Sequence, residues 1–182
     1  MKKIGMIGKG FVGSAVEFGF SAQTGCDVEL RSYDIDPLKC THTLKEVVNG
    51  TDVVFISVPT PSNPDGSMHL DILESVLSDI SDVYEDGSII LIRSTVTPGT
   101  TRKLQNKFNL PIVFNPEFLT ERSAKFDFIN QARFILGGAP DHTAVVANLY
   151  KWRFGSSVPC IETNWETAEM IKYMNNCFFA TK

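Results

Sequence analysis

Apolar runs alternate with amphipathic stretches along the 182 residues, the rhythm of strands joined by helical crossovers. The pattern predicts strands near residues 3–8, 28–34, 52–58, 88–93, 111–114, 132–137 and 158–162. Helices are predicted near 11–22, 43–49, 70–83, 99–107, 119–126, 141–151 and 164–182. Val53-Val54-Phe55-Ile56 and Ile89-Ile90-Leu91-Ile92 are continuously apolar, which fits central parallel strands covered on both faces. One long turn-rich loop, Thr60-Pro61-Ser62-Asn63-Pro64-Asp65-Gly66-Ser67, follows the C-terminal end of the third strand, where open α/β sheets place ligands. Asn49-Gly50-Thr51 matches a glycosylation triplet but reads as a helix-to-strand turn.

The last helix has Asn164 as its N-cap, with Glu166 and Glu169 near its positive end. It carries Met170, Ile171, Met174, Cys177 and Phe178 on an apolar stripe and meets no glycine or proline stop. Such a stripe needs something to pack against, so the chain reads as cut in mid-element.

Composition narrows the class without naming a function. At 43% hydrophobic and 21% charged, with no low-complexity tract, the chain fits one globular domain, alone or with an appendage. Lys and Arg are scattered and the net charge is −4, so no nucleic-acid footprint is visible. An anionic ligand stays open, because backbone N–H groups bind phosphate without net positive charge. No apolar run approaches the ~18 residues of a membrane span, and Ile4 to Ile7 is too short for a signal peptide, so a cytoplasmic location is the default expectation. Cys26, Cys40, Cys160 and Cys177 show no C-x-x-C spacing and are expected as buried or half-buried free thiols. His42, His69 and His142 stand alone, with no paired spacing for a metal.

The chemistry begins at Gly8-Lys9-Gly10-Phe11-Val12-Gly13, directly after Ile4-Gly5-Met6-Ile7. Gly8, Gly10 and Gly13 fill the G-x-G-x-x-G dinucleotide fingerprint: a tight turn, close approach of a pyrophosphate, and close helix–strand packing. Asp34 lies 21 residues beyond Gly13, at the end of the second predicted strand. An acid there hydrogen-bonds ribose hydroxyls and repels a 2′-phosphate, so NAD is expected over NADP. Asp36 reads as the start of the turn at Pro37. Val58-Pro59-Thr60-Pro61, Ser94-Thr95-Val96-Thr97-Pro98-Gly99-Thr100 and Asn115-Pro116-Glu117-Phe118-Leu119 each follow a predicted strand, and Glu166 through Lys172 to Asn176 lies on the last helix. Singly, each is open to a plain reading: proline-threonine turns cap helices, a glutamate beside proline is solvated, Glu121 pairs with Lys125, and Lys172 and Asn176 share a solvated helix face.

Together and in this order, the G-x-G-F-V-G start, V-P-T-P, S-T-V-x-P-G-T-T, N-P-E-F-L and the terminal E-T-A-E-x-x-K-x-x-x-N helix resemble the UDP-glucose/GDP-mannose dehydrogenases. The resemblance covers essentially the whole chain but only the first half of the family's architecture. It implies an α/β, Rossmann-like, doubly wound and mostly parallel sheet with helices on both faces. Residues 1–162 would form the NAD-binding domain and 163–182 the start of a central interdomain helix, the second, sugar-nucleotide-binding domain being absent.

Enzymes of this kind oxidise the C6 alcohol of UDP-glucose or a related sugar to the acid, by two hydride transfers to NAD through a cysteine thioester. The resemblance gives Gly8, Gly10, Phe11, Val12, Gly13, Asp34, Thr60 and Thr95 to the cofactor. Glu117 would be the acid/base of thioester hydrolysis, Thr95 the hydroxyl holding the catalytic water, and Lys172 with Asn176 the oxyanion donors. Glu117, Phe118, Leu119, Glu121 and Lys172 would line the sugar site. It also implies a homodimer through the last helix in the full-length form, while the scattered charges and the lack of a long apolar run lead to the expectation of no nucleic-acid or membrane partner.

Two departures stand out. Arg122 takes a place where the family usually has glycine or serine, and Gly137-Gly138 is followed by Ala139-Pro140 rather than by the G-G-x-C nucleophile. Cys177 is a poor substitute, about 100° around the helix from Asn176 and without an evident base. The 182 residues alone are therefore expected to bind NAD without completing the oxidation. A stand-alone NAD-binding sensor module and a 6-phosphogluconate- or 3-hydroxyacid-type dehydrogenase fragment remain as alternatives.

Overall fold

The continuous apolar runs become the middle of a sheet. The computed structural model describes residues 1–85 and 87–182. The strands are β1 (Lys2–Ile7), β2 (Val28–Tyr33), β3 (Val53–Ile56), β4 (Ile89–Ile92), β5 (Ile112–Phe114), β6 (Phe134–Gly137) and β7 (Cys160–Thr163), in spatial order β2-β1-β3-β4-β5-β6-β7. All neighbouring pairs are parallel except β5 with β6. The helices are α1 (Phe11–Gly19), α2 (Leu44–Asn49), α3 (Asp71–Val83), α4 (Thr100–Phe108), α5 (Ala124–Ile129), α6 (Pro140–Phe154) and α7 (Trp165–Thr181). The Rossmann-like, doubly wound α/β expectation holds.

The period-2 rule sorts the continuous runs into two cores. Val53, Phe55, Ile89, Leu91, Val113, Phe134 and Leu136 face α1, α5 and α6. Val54, Ile56, Ile90, Ile92, Ile112, Phe114 and Ile135 face α2, α3, α4 and the first turns of α7. Glycine permits the closest helix contacts. A Cβ on Gly13 would lie 2.0 Å from the Gly8 carbonyl oxygen, and one on Gly19 would lie 2.2 Å from the Phe128 ring.

Three predicted helices differ in extent, the one near 141–151 by running on to Phe154. The one near 11–22 stops at Gly19, and Ala22–Thr24 forms a separate short turn, where the single Thr24 hydroxyl proton faces the carbonyls that end the helix, nearest Ser21 at 2.9 Å with Gly19 and Phe18 at 3.1 and 3.3 Å. The one near 119–126 is a short turn at Glu121–Ser123 followed by α5. There the Asp127 carboxylate accepts from the Thr120 N–H at 2.9 Å, from Thr120 Oγ1 at 2.8 Å and from Ser123 Oγ, which holds the chain in a turn before the helix begins. Cys26 is buried and Cys40 and Cys160 half-buried, as expected of free thiols, but Cys177 is exposed because α7 has left the body of the domain at that point.

The root of α7 is fastened at three points. Asn164 caps it through the Thr167 N–H, and the Trp165 indole N–H donates to the Ile112 carbonyl at 2.9 Å. Arg102 of α4 lies over the Trp165 ring at 4.6 Å and grips the Glu166 carboxylate with a two-pronged contact at 2.5 and 2.9 Å. One turn on, Glu169 is fully buried and accepts from the backbone N–H groups of Gly99 and Thr101 at 2.6 and 2.7 Å. Burial pushes the Glu169 carboxyl above its ordinary value, against the downward pull of these bonds.

Two measurements check this packing. Gly19→Ala drives a methyl into a fully buried ring and is expected to destabilise the fold by about 1–3 kcal/mol; an unchanged urea midpoint would show that the ring yields freely. The Arg102 fork holds the Glu166 carboxyl at about 2, below its ordinary 4.5. Its folded value being the lower one, the stabilisation is present above pH 4.5 and is lost as pH falls toward 2. The stability gap between the wild type and Glu166→Gln should therefore close across that window, and a gap constant with pH would refute the assignment.

Candidate functional site

The chain leaves β1 to form β2 and then returns across β1 to form β3, so the connections at the ends of β1 and β3 diverge. A crevice at such a switch point is where doubly wound sheets hold ligands. Gly8 makes the turn out of β1 with φ +86°, and a Cβ there would lie 2.6 Å from the Ser57 carbonyl oxygen at the end of β3. Gly10 is the N-cap of α1, and among the described residues no side chain caps that helix end and nothing would meet a Cβ added to Gly10 within 4 Å. An uncapped helix N-terminus behind an open glycine fits a pyrophosphate. Phe11 and Val12 open the helix, with Phe11 exposed beside the turn.

Asp34 follows β2 and reaches back to this turn. Its Oδ2 accepts from the Lys9 N–H at 2.5 Å and its Oδ1 from the Asp36 N–H at 2.9 Å. Burial opposes its ionisation, but these bonds, with Lys39 and Lys9 nearby, hold the carboxyl below its ordinary value. The Cys40 sulfur accepts from the Asp34 N–H at 3.2 Å and donates to the Asp34 carbonyl, so it steadies the backbone on which the carboxylate sits. Asp36 caps the turn at Pro37 as expected, accepting from the Leu38 N–H. A charged acceptor at the end of β2 with a glycine cradle at the end of β1 fits an adenosine ribose and its pyrophosphate.

Side-chain bonds stitch the next loops together. Ser94 Oγ donates to the Val58 carbonyl at 2.6 Å, and Thr60 Oγ1 donates to the Thr95 carbonyl at 2.7 Å. Thr60 thus reaches the segment of Thr95 rather than standing alone. Beyond Thr60 the loop folds on itself through an antiparallel bridge between Ser62 and Met68.

Glu117 and Lys172 meet although 55 residues separate them. Lys172 Nζ donates to Glu117 Oε1 at 3.0 Å and to the Glu117 carbonyl, and lies 5.5 Å from the Phe118 ring centroid. Glu117 Oε2 in turn accepts from the Leu119 N–H at 2.8 Å. Lys172 is 5% exposed, so its ammonium sits in a site where fixed partners are strong. Asn176, one turn further along α7, is exposed, and with Thr95, Tyr173, Cys177 and Ala180 it lines a cleft of about 250 Å³. Lys172 and Asn176 therefore share a face, but one is held against Glu117 and the other looks across at Thr95. Cys177 lines the same cleft despite its angular offset from Asn176, and its thiol has no hydrogen-bond partner among the described residues.

Glu121 is exposed with no hydrogen bond or ion pair among the described residues, and the plain alternative of a pairing with Lys125 does not form: Lys125 Nζ lies over the Phe18 ring instead. Arg122 is exposed in the same short turn.

Three groups escaped the sequence reading. Arg93, 2% exposed, donates through Nη1 to Asn115 Oδ1 at 2.6 Å and to Tyr150 OH at 3.3 Å. Tyr150 OH donates to Asn115 Oδ1 at 2.6 Å, and Asn115 Nδ2 donates to the Ile135 carbonyl. Burial pushes the Tyr150 hydroxyl up to about 12, so it stays a neutral donor. The turn held by Asp127 is the second, and the third is the burial of Glu169 against α4, since its place near the start of the last helix explained it there as a favourable charge on its own helix.

Residues 29–153 match the model of the UDP-glucose/GDP-mannose dehydrogenase family, NAD binding domain. The UDP-glucose 6-dehydrogenase TuaD of Bacillus subtilis is 30% identical, aligning 100% of this chain with 47% of its own length. The UDP-glucose 6-dehydrogenase AglM of Haloferax volcanii is 32% identical over 82% of this chain and 39% of its own length. A solved UDP-glucose dehydrogenase from Pyrobaculum islandicum superposes with a TM-score of 0.81 at 26% identity, covering 99% of this chain and 50% of that one. A 3-hydroxyisobutyrate dehydrogenase of Mycobacterium tuberculosis, at TM-score 0.70 and 16% identity, shares the fold alone. The chain spans less than half the length of the two curated relatives. With the glycine cradle, the β2 carboxylate and these matches in agreement, the chain belongs to the UDP-glucose/GDP-mannose dehydrogenase family and comprises its NAD-binding domain, whose cofactor is NAD.

Proposed function

We propose that this chain is the cofactor-binding part of an enzyme that oxidises the C6 alcohol of a nucleotide sugar, UDP-glucose or a close relative, to the carboxylate by way of a cysteine thioester. The observation that carries the reading is the buried Lys172–Glu117 contact standing next to the Thr95–Asn176 cleft, at the same edge of the sheet as the glycine turn. Gly8, Gly10 and Gly13 hold the pyrophosphate with the first N–H groups of α1, Phe11 and Val12 among them, and Asp34 holds the adenosine ribose. Thr60 and Thr95 border the nicotinamide end. When bound, NAD supplies the hydride acceptor.

The remaining work belongs to the chain's own side chains. The Thr95 hydroxyl holds a water, and Glu117 takes its proton as the water attacks the thioester carbonyl. The Lys172 ammonium, already fixed beside Glu117, and the Asn176 amide donate to the oxyanion that develops. Phe118, Leu119 and Glu121 border the sugar. The nucleophilic thiol of this route is none of the four in the chain. Cys26 is buried, Cys40 wraps the Asp34 backbone, Cys160 donates to the Ala147 carbonyl, and Cys177 has no base within hydrogen-bond distance among the described residues. The exposed stripe of Met170, Met174, Phe178 and Phe179 takes a second copy of α7 in the whole protein.

Titration calorimetry tests the cofactor half. The chain should bind NAD in preference to NADP, and Asp34→Asn should weaken NAD by about tenfold while narrowing the gap to NADP. With UDP-glucose added, the chain by itself should release no NADH. Equal binding of the two dinucleotides, or steady turnover by the 182 residues, would sink the reading. Sedimentation tests the stripe: the chain should self-associate and Phe178→Glu should restore the monomer, whereas a wild-type monomer at high concentration would remove α7 as an interface.

A further inference from the structure

Ala168, Glu169 and Lys172 are the last residues of α7 that the domain buries; from Tyr173 onward the helix is half-buried or exposed. Every later residue, Asn176 included, is aimed by how these three are held. Ala168 is fixed by shape against Gly137, where a Cβ would lie 2.6 Å from its own. Lys172 is fixed by Glu117. Glu169 is fixed by two backbone N–H groups just beyond Thr95, the residue that faces α7 across the cleft: Gly99 and Thr101 lie at the start of α4, four and six residues on.

Both bonds are short, both carboxylate oxygens are engaged, and nothing of the side chain reaches solvent. A carboxylate that only served the dipole of α4 would do so from the surface, and Arg102 with Glu166 already joins the two helices there. A buried charge contributes little net stability, because desolvation offsets its attractions; what it supplies is one allowed geometry.

We infer that Glu169 is a positioning residue that sets the distance between the Thr95 turn and the Lys172–Asn176 face of α7, and so shapes the nicotinamide end of the cleft without touching a ligand. The inference rests on the proposed function, since it takes the cleft beside Thr95 as the place of the nicotinamide ring. Ligands that stop short of the ring should not sense the change. Glutamine at this position keeps the volume but turns an amide N–H₂ toward one of the two N–H donors.

The test compares NAD with ADP-ribose, which lacks nicotinamide, by calorimetry on the wild type, Glu169→Gln, Glu169→Asp and Glu166→Gln. Glu169→Gln should weaken NAD about tenfold and leave ADP-ribose within about twofold, with Glu169→Asp intermediate. Glu166→Gln, which breaks the surface contact between the same helices, should move neither ligand. Parallel losses for both ligands, or no loss for either, in a folded Glu169→Gln overturns the inference. A wild type that binds NAD no tighter than ADP-ribose overturns the nicotinamide placement itself, and the inference with it. If neither Glu169 variant folds, the wild type decides by NMR: the Gly99 and Thr101 amide resonances should shift with NAD and stay still with ADP-ribose, and equal responses overturn the assignment.

Discussion

The crossing of the chain over β1 is the constraint from which the rest of the site follows. With β2 on one side of β1 and β3 on the other, two connections must part at one edge of the sheet. The gap they leave is fixed by backbone rather than by side chains. Gly8 sits against the Ser57 carbonyl and Gly13 against the Gly8 carbonyl, so turn, strand end and helix start are in mutual contact with no side chain between them. The same contact leaves Gly10 as the open member of the three, at an uncapped helix end. A crevice built this way does not depend on rotamers and presents N–H donors already pointing outward.

Away from that crossing, polar side chains do the fixing, and most bond to backbone carbonyls. Ser94 to Val58, Thr60 to Thr95 and Asn115 to Ile135 tie each loop to its neighbour across the strand ends. The Arg93–Asn115–Tyr150 network beneath them is unusual because a guanidinium is buried with two of its nitrogens, Nε and Nη2, unpartnered among the described residues. Its face lies 5.5 Å from the Phe128 centroid, which supplies part of the missing solvation. In so dry a setting the remaining bonds are strong, and they end on Asn115, two residues before Glu117. The network joins the end of β4, the residue after β5 and helix α6 into one support for the loop that carries the acid.

What was legible in the sequence follows from range. Strands β3 and β4 announce themselves because burial on both faces demands uninterrupted apolar residues, and Asp34 because the fingerprint fixes its distance from Gly13. Thr95, Glu117 and Lys172 were legible only as motifs; that Lys172 touches Glu117 is a tertiary fact spanning 55 residues. Glu169 read as a favourable charge on its own helix, yet its partners are on α4. Arg93 looked like the polar end of a strand, and nothing local distinguishes a solvated arginine from one folded inward upon Asn115. The break before α5 was missed because Asp127, a competent helix residue by position, bonds backward to Thr120 and Ser123.

The i,i+4 relation of Lys172 and Asn176 shows how a correct local rule acquires its meaning from packing. On an isolated helix the two are equivalent neighbours of one face. Here the body of the domain ends between them, so one side chain becomes a buried cation with a fixed acceptor and the other a donor at an open cleft. The lysine is held by α7 on one side and by Glu117, in the loop after β5, on the other, and therefore has little freedom of its own. The asparagine inherits its place from the helix alone, and the helix takes its direction from Trp165 and Glu169, which are bonded to β5 and to the start of α4. The geometry of the cleft is thus settled one to three turns away from it, among residues that never line it.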